Sequence, residues 1–286
     1  MAAGHPYAGR RAALATMHGK ERAVAPAMAE ALGLMVEPAP GLDTDRLGTF
    51  SGEVPRPGTM LETALAKARL GLAASGLDLA LASEGSFGPH PVVPFLAGGI
   101  ELLLFHDAAR GLTVHETLVA DATNFAHLAV APGEPLDPFL AKAGFPAHAL
   151  IVRPNRGERV SFLAKGLADR AALDRAVAAA AAASADGKEL VETDMRAHLN
   201  PTRMGTIAEL ARRLAARLAT LCPACAAPGW GRTDIARGLP CGLCGSPTEH
   251  VLTEIFGCAA CPHREERPRR DGLRAADPMH CPVCNP

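Results

Sequence analysis

The stretch Arg10–Pro40, RRAALATMHGKERAVAPAMAEALGLMVEPAP, reads as strand, turn, helix and strand. RRAALAT is short, apolar and ends at Thr16. HGKERAVAPAMAEALG reads as a helix with Gly33 as its stop, and LMVEPAP reads as a second strand. Strand, helix and strand in succession are the unit of an α/β fold. The next helix is TMLETALAKARLGLAASG, where Thr59 caps and Glu62 follows three residues on, as in a capping box. Between the two units, residues 41–59 are rich in Gly, Pro and Thr and too long for a simple connection, which marks a functional loop.

The alternation continues for two thirds of the chain. LDLALAS predicts a buried strand that stops at Glu84, and SFGPHPVVPF a Gly/Pro loop. GIELLLFHD and LTVHETLVA predict a hairpin turning at Ala109–Gly111, with FAHLAVA, HALIVRP and ELVETDM as further strands. Ala168–Ser184 is an Ala-rich helix. The helix Met204–Leu221 carries Ile207, Leu210, Leu214 and Leu218 on one face and leads into Cys222. The expected fold class is α/β, a mixed sheet flanked by helices over residues 1–204. A connecting helix (205–221) and a small C-terminal zinc-ribbon domain (222–286) follow.

All eight cysteines fall in CxxC pairs: Cys222/Cys225, Cys241/Cys244, Cys258/Cys261 and Cys281/Cys284. A C-x2-C turn points two thiolates at one tetrahedral ion, and two turns complete a four-cysteine zinc site. The 15 residues between the first two pairs and the 19 between the last two fit zinc-ribbon spacing. The expectation is therefore two structural Zn2+, with sequential pairing preferred and interleaved pairing left open. His263 and His280 are surplus to two such sites. A closed four-thiolate site has no open position for catalysis, so the ribbons are expected to dock a protein or RNA partner.

Composition excludes several classes. Lys+Arg is 29 against Asp+Glu 30, so this is not a strongly basic nucleic-acid coat. Aromatics are 4%, too few for base-stacking platforms. No apolar run approaches the roughly 20 residues a membrane span needs, and no signal peptide is evident. A cytoplasmic protein is expected.

Polar chemistry collects at strand ends, where α/β sheets place ligands. Thr16, His18 and Lys20 occupy a strand-to-helix turn suited to phosphate. Glu62 and Lys67 lie on the second predicted helix. Glu84 leaves an apolar strand and is a candidate Mg2+ ligand or general base. His148 enters another strand. Arg196, His198, Asn200 and Arg203 form a candidate anion clamp, because guanidinium grips phosphate bidentately.

The order of these motifs resembles the inosine triphosphate pyrophosphatase superfamily over roughly residues 10–220. Thr16–Lys20 resembles its phosphate loop, with Met17 in place of Asn. ETALAKA (62–68) is similar to its E-N-A-x-x-K-A helix, and ASEGS (82–86) to its acidic strand end. GFPAHALIVRP (144–154) resembles its base-holding strand entry, with His148 where the family has Asp. MRAHLNPTR (195–203) stands where the family has S-H-R. The resemblance implies a Mg2+-dependent hydrolase of a nucleoside triphosphate or related phosphorylated small molecule. In it, Lys20, Arg196 and Arg203 hold phosphates and the catalytic residues Glu62 and Glu84 hold Mg2+. It leaves a homodimer open. The alternative is a non-catalytic ligand-binding adaptor. The whole chain also resembles an uncharacterised bacterial family with the same ribbon tail.

Overall fold

A computed structural model of the chain describes residues 4–44, 57–91, 93–120, 122–157 and 164–286. Most of the long loop expected at 41–59 lies outside them. The chain divides into two compact units, Met1–Leu214 and Ala215–Pro286. The boundary falls inside the helix α5 (Pro201–Ala219), later than the expected end of the first domain at residue 204.

In the first unit, β1 (Arg11–Ala15), α1 (Glu21–Leu32) and β2 (Met35–Pro38) form as the sequence predicts. Gly33 closes α1 at φ 64, a left-handed conformation that glycine adopts without a Cβ clash. α2 (Met60–Ser75) opens with the Thr59/Glu62 capping box. It leads into β3 (Leu79–Pro89), which pairs antiparallel with β4 (Ala97–Asp107), and β4 with β5 (Leu112–Ala120). The sheet order is β2-β1-β3-β4-β5, with β1 parallel to both neighbours.

The chain goes from β1 to β2 on one side, then crosses back to β3 on the other. Right-handed crossovers put the two helices on opposite faces, so the carboxyl end of β1 is a topological switch point. α2 packs across β1, β3 and β4 through small residues. Ala64 and Ala68 meet Ala15, Ala80 and Ala82, with Leu102 and Leu104 alongside. Paired small side chains let the helix come close without a void.

β3 does not stop at Glu84. It runs to Pro89, with Gly85 opposite Glu101 and Phe87 opposite Gly99. The Gly/Pro composition of 85–89 reads as loop, yet Gly85, with Gly99 on β4, makes room for side chains. A Cβ on Gly99 would lie 2.9 Å from the Phe87 ring, and one on Gly85 2.5 Å from Arg203 Nη2.

The single expected sheet is in fact two. β6 (His127–Val130), β9 (Glu189–Thr193), β7 (Leu150–Pro154) and β8 (Ala164–Leu167) make a separate antiparallel sheet in that order. α3 (Asp137–Ala143) and α4 (Arg170–Ala183) share its core of Phe139, Leu140, Leu150, Val152, Leu173 and Val191. α3 and β8 have no counterpart in the sequence reading.

The second unit is built on the antiparallel sheet β10 (Gly231–Arg237), β11 (Val251–Gly257) and β12 (Arg264–Pro268). Among the described residues, no helix is long and apolar enough to cross a membrane.

Candidate functional site

Past the end of β1, charged side chains from five elements are buried together. Lys20, at the start of α1, donates from Nζ to Ser83 Oγ of β3 at 2.8 Å. On the other face of the same strand, Glu84 Oε1 pairs with Lys67 Nζ of α2 at 2.6 Å. Adjacent strand residues point to opposite faces, so Ser83 and Glu84 reach helices on either side of the sheet. From α5, Arg203 grips Glu101 of β4 with Nε–Oε1 at 2.6 Å and Nη2–Oε2 at 3.3 Å, both side chains 1% exposed. Arg203 Nη1 also donates to the Met195 carbonyl, and its guanidinium lies 5.1 Å from the centre of the Phe87 ring.

The cluster thus holds three cations, Lys20, Lys67 and Arg203, against two carboxylates, Glu84 and Glu101. Burial, followed by the Arg203 charge, pushes the Lys20 ammonium down to about 7, with Lys67 adding to the fall. Glu101 and Glu84 pull the other way but do not cancel it. α1 opens with no side-chain cap, and its Arg22 and Ala23 amides donate to the Gly19 and Lys20 carbonyls at 3.3 and 3.0 Å. One turn before Lys67 on α2, the Thr63 hydroxyl is buried with no hydrogen-bond partner among the described residues.

The remaining expected residues divide. Thr16 is buried and accepts from the His18 amide at 3.2 Å. His18 stacks on exposed His198, with ring centres 5.0 Å apart, joining the β1–α1 turn to the segment before α5. Burial and Arg196 lower the His198 pKa, favouring the neutral ring.

The expected anion clamp is largely a structural joint. Arg196 binds the buried carboxylate of Asp194 through Nε and Nη2. Asn200 caps α5 by accepting from the Arg203 amide at 3.0 Å, and its amide donates to Asn124 Oδ1 at 2.8 Å. His148 is tied to Thr202 Oγ1 at 2.9 Å and to the Gly144 carbonyl at 3.3 Å. Glu62 is exposed. Its carboxylate accepts from the Thr59 amide and hydroxyl, each at 2.8 Å, and those bonds hold its pKa below the usual carboxylate range.

Sequence reasoning picked out the stretch 82–86 for Glu84, gave Ser83 no role, and missed Glu101. An acid between Ile100 and Leu102 in an apolar strand was the available signal, since burying a lone carboxylate is costly.

In the second unit the cysteines form two groups, Cys222/Cys225/Cys258/Cys261 and Cys241/Cys244/Cys281/Cys284, each with its sulfurs within 4.8 Å of one another. The preferred sequential pairing is therefore wrong, and the pairs interleave. Antiparallel β10 and β11 put residues before β10 beside those after β11, since Gly231 is opposite Gly257. The first and third pairs thus share one end of the sheet. Pro268, at the end of β12, faces Thr253 near the start of β11, which leaves the fourth pair for the end where the second lies.

Sulfur separations of 3.6 and 3.9 Å recur in both groups. Sulfurs at about 2.3 Å from one tetrahedral ion lie about 3.8 Å apart, so both groups could hold metal and are compatible with two structural zinc sites. The Ser246 hydroxyl and amide lower the Cys244 thiol to about 6, toward the thiolate a metal needs. After the first knuckle Ala226 takes φ 57, where Gly245 takes φ 74 after the second.

Among the described residues, these two cysteine groups are the only clusters of three or more His, Cys, Asp or Glu placed to hold a metal, and neither Glu62 nor Glu84 belongs to one.

No curated protein matches the chain. A family model described as a domain of unknown function, DUF6671, matches residues 67–286. The match takes in Lys67, Glu84, Glu101, Arg203 and all eight cysteines, and leaves Lys20 outside. With that match covering well over half of its length, the chain belongs to the DUF6671 family.

Proposed function

We propose that the first unit binds and hydrolyses a phosphorylated small molecule, a nucleoside triphosphate or a related compound, at the buried cluster around Lys20. The observation that carries the reading is the convergence of Lys20, Lys67 and Arg203 around only two carboxylates, past the carboxyl end of β1 and midway along β3. A surplus cation in a low-dielectric site favours an anion. The buried Thr63 hydroxyl, without a hydrogen-bond partner among the described residues, asks for one. The β2-β1-β3 switch point and the motif order support an inosine triphosphatase-like architecture. Release of a nucleoside monophosphate and pyrophosphate is the reaction that resemblance implies.

The carboxylates do not fit a resident Mg2+. Glu62 is bonded to Thr59, Glu84 to Lys67, and Glu101 to Arg203 through both oxygens. Mg2+ enters this proposal as the counter-ion of a triphosphate substrate. In the second unit we assign two structural Zn2+.

The test is phosphate and pyrophosphate release from a panel of canonical and non-canonical nucleoside triphosphates with Mg2+, beside Glu84→Gln. Turnover of one substrate, lost in the variant, supports the reading. No turnover by well-folded, zinc-loaded protein sinks it. That result would favour the adaptor reading, for which the second unit offers a cleft of about 260 Å3 lined by Arg232, Val251, Glu254, Arg269, Arg270 and Asp271.

A further inference from the structure

The geometry points to a Ser–Lys pair in the first unit, with Ser83 Oγ as a nucleophile and Lys20 Nζ as its general base, acting on a phosphoric ester or anhydride. Its substrate class rests on the phosphate reading above; its chemistry does not. Lys20 is 7% exposed and Ser83 3%. Lysine is almost never buried unless paired with an acid. Here the acids are taken, Glu84 by Lys67 and Glu101 by Arg203, and the hydrogen-bond partner of Lys20 is a neutral hydroxyl at 2.8 Å. That distance is within reach for proton transfer between a nucleophile and its base.

The charges facing Lys20 come from every side: Arg203 on α5 and Lys67 on α2 against Glu101 on β4 and Glu84 on β3. With burial they leave about half of the amine neutral at pH 7, and that half can accept the Ser83 proton.

In the first step Oγ bonds to phosphorus and the bond from phosphorus to the leaving oxygen breaks. The Ser83 proton passes to Nζ and from the ammonium to the leaving oxygen. Water then attacks the phosphoserine and gives its proton to Nζ. Oγ takes that proton back as its bond to phosphorus breaks. Arg203, whose charge already bears on Lys20, is the nearby cation for the charge on the phosphoryl oxygens.

A fluorophosphonate tests the pair on the full-length, zinc-loaded chain, because it transfers a phosphoryl group to an activated serine with loss of fluoride. Intact mass and peptide mapping should find one adduct, on Ser83, forming faster as pH rises through about 7. Ser83→Ala should take none. Lys20→Met, with its fold verified by circular dichroism, should label about 100-fold more slowly or worse. No adduct on Ser83 in folded protein, or equal labelling of Lys20→Met, overturns the pair. Nucleotide turnover undiminished in Ser83→Ala also overturns it while leaving the hydrolase reading intact. Labelled Ser83 without turnover of any nucleotide does the reverse: the pair stands and the phosphate substrate falls.

Discussion

The two units handle buried charge in opposite ways. In the second, the chemistry sits in eight thiols whose sulfurs close into two four-membered groups around space for an ion. On the zinc assignment, their order depends on something outside the chain. In the first, Lys67–Glu84 and Arg203–Glu101 neutralise one another and leave Lys20 over. The difference teaches that a metal unit advertises itself through local spacing. A charge cluster assembled from distant strands does not.

Metal removal should break the comparison most strongly. Structural zinc binding in such units supplies about 10–16 kcal/mol of apparent free energy, so chelation should unfold the second unit. The single Trp reports this directly: Trp230 is buried against Cys222 and Phe256 and stacked on His263. Its fluorescence should collapse toward that of a solvated indole while the two sheets of the first unit keep their amides protected from hydrogen exchange. Equal loss of protection in both units would contradict the division. Metal stoichiometry sharpens the pairing. Cys222→Ser with Cys258→Ser strikes one interleaved site and should leave one zinc per chain, whereas sequential sites would both be struck.

The next largest effect lies at Arg203. Its removal strands a carboxylate that is 1% exposed, and breaking a buried pair costs about 3–5 kcal/mol. Arg203→Met should show a loss of that size in urea denaturation followed by far-UV circular dichroism. Glu101→Leu added to it should restore much of the stability, since the orphaned charge goes too. A double variant as unstable as the single would mean that Arg203 acts through Met195 and Phe87 instead.

These contrasts track what was legible. The CxxC turns stand out because ligand spacing is local, but their interleaving is set by the β10–β11 register, which spacing does not encode. Lys20 stood at a recognisable turn, Lys67 on a predicted helix and Glu84 at a predicted strand end. Ser83 and Glu101 were hidden inside apolar strands, and their importance shows only when β3 and β4 pair. Composition misled at 85–89, where Gly85 makes room for Arg203 inside a strand rather than forming a loop. At 195–203, the donors of a phosphate clamp are spent on Asp194, Glu101 and a helix cap. The second sheet escaped because its strands pair out of sequence, β9 lying between β6 and β7.

A smaller effect distinguishes Lys20 from the paired cations. Its folded-state pKa is about 7, below the ordinary 10.5 expected when unfolded. Between those values the unfolded chain holds a proton that the folded chain lacks, so stability rises with pH across the window. The penalty is full below pH 7 and gone above about 10.5. The slope approaches about 1.4 kcal/mol per pH unit for one group. Wild type minus Lys20→Met, compared at pH 7, 8 and 9, should isolate it. Parallel curves would mean that Lys20 stays charged in place, which would also remove the base from the Ser83 pair.

The smallest effect concerns Glu62, and it decides whether the carboxylate belongs to the cluster or only to its helix. The capping box has Thr59 Oγ1 accepting from the Glu62 amide while the Glu62 carboxylate accepts from the Thr59 amide. Both contacts act at the start of α2, the helix that carries Lys67 on its buried face. Thr59→Ala should therefore cost about 1 kcal/mol, read as a small drop in Tm, and leave any turnover nearly unchanged. Glu62→Gln keeps an oxygen acceptor for the Thr59 amide, so it should disturb the fold less still. If Glu62→Gln abolished turnover at an unchanged Tm, capping could not be the cause, because its loss through Thr59→Ala would be tolerated. The carboxylate would then have to leave Thr59 for a substrate-borne cation, and the cluster would gain a third acid that this arrangement of α2 keeps outside it.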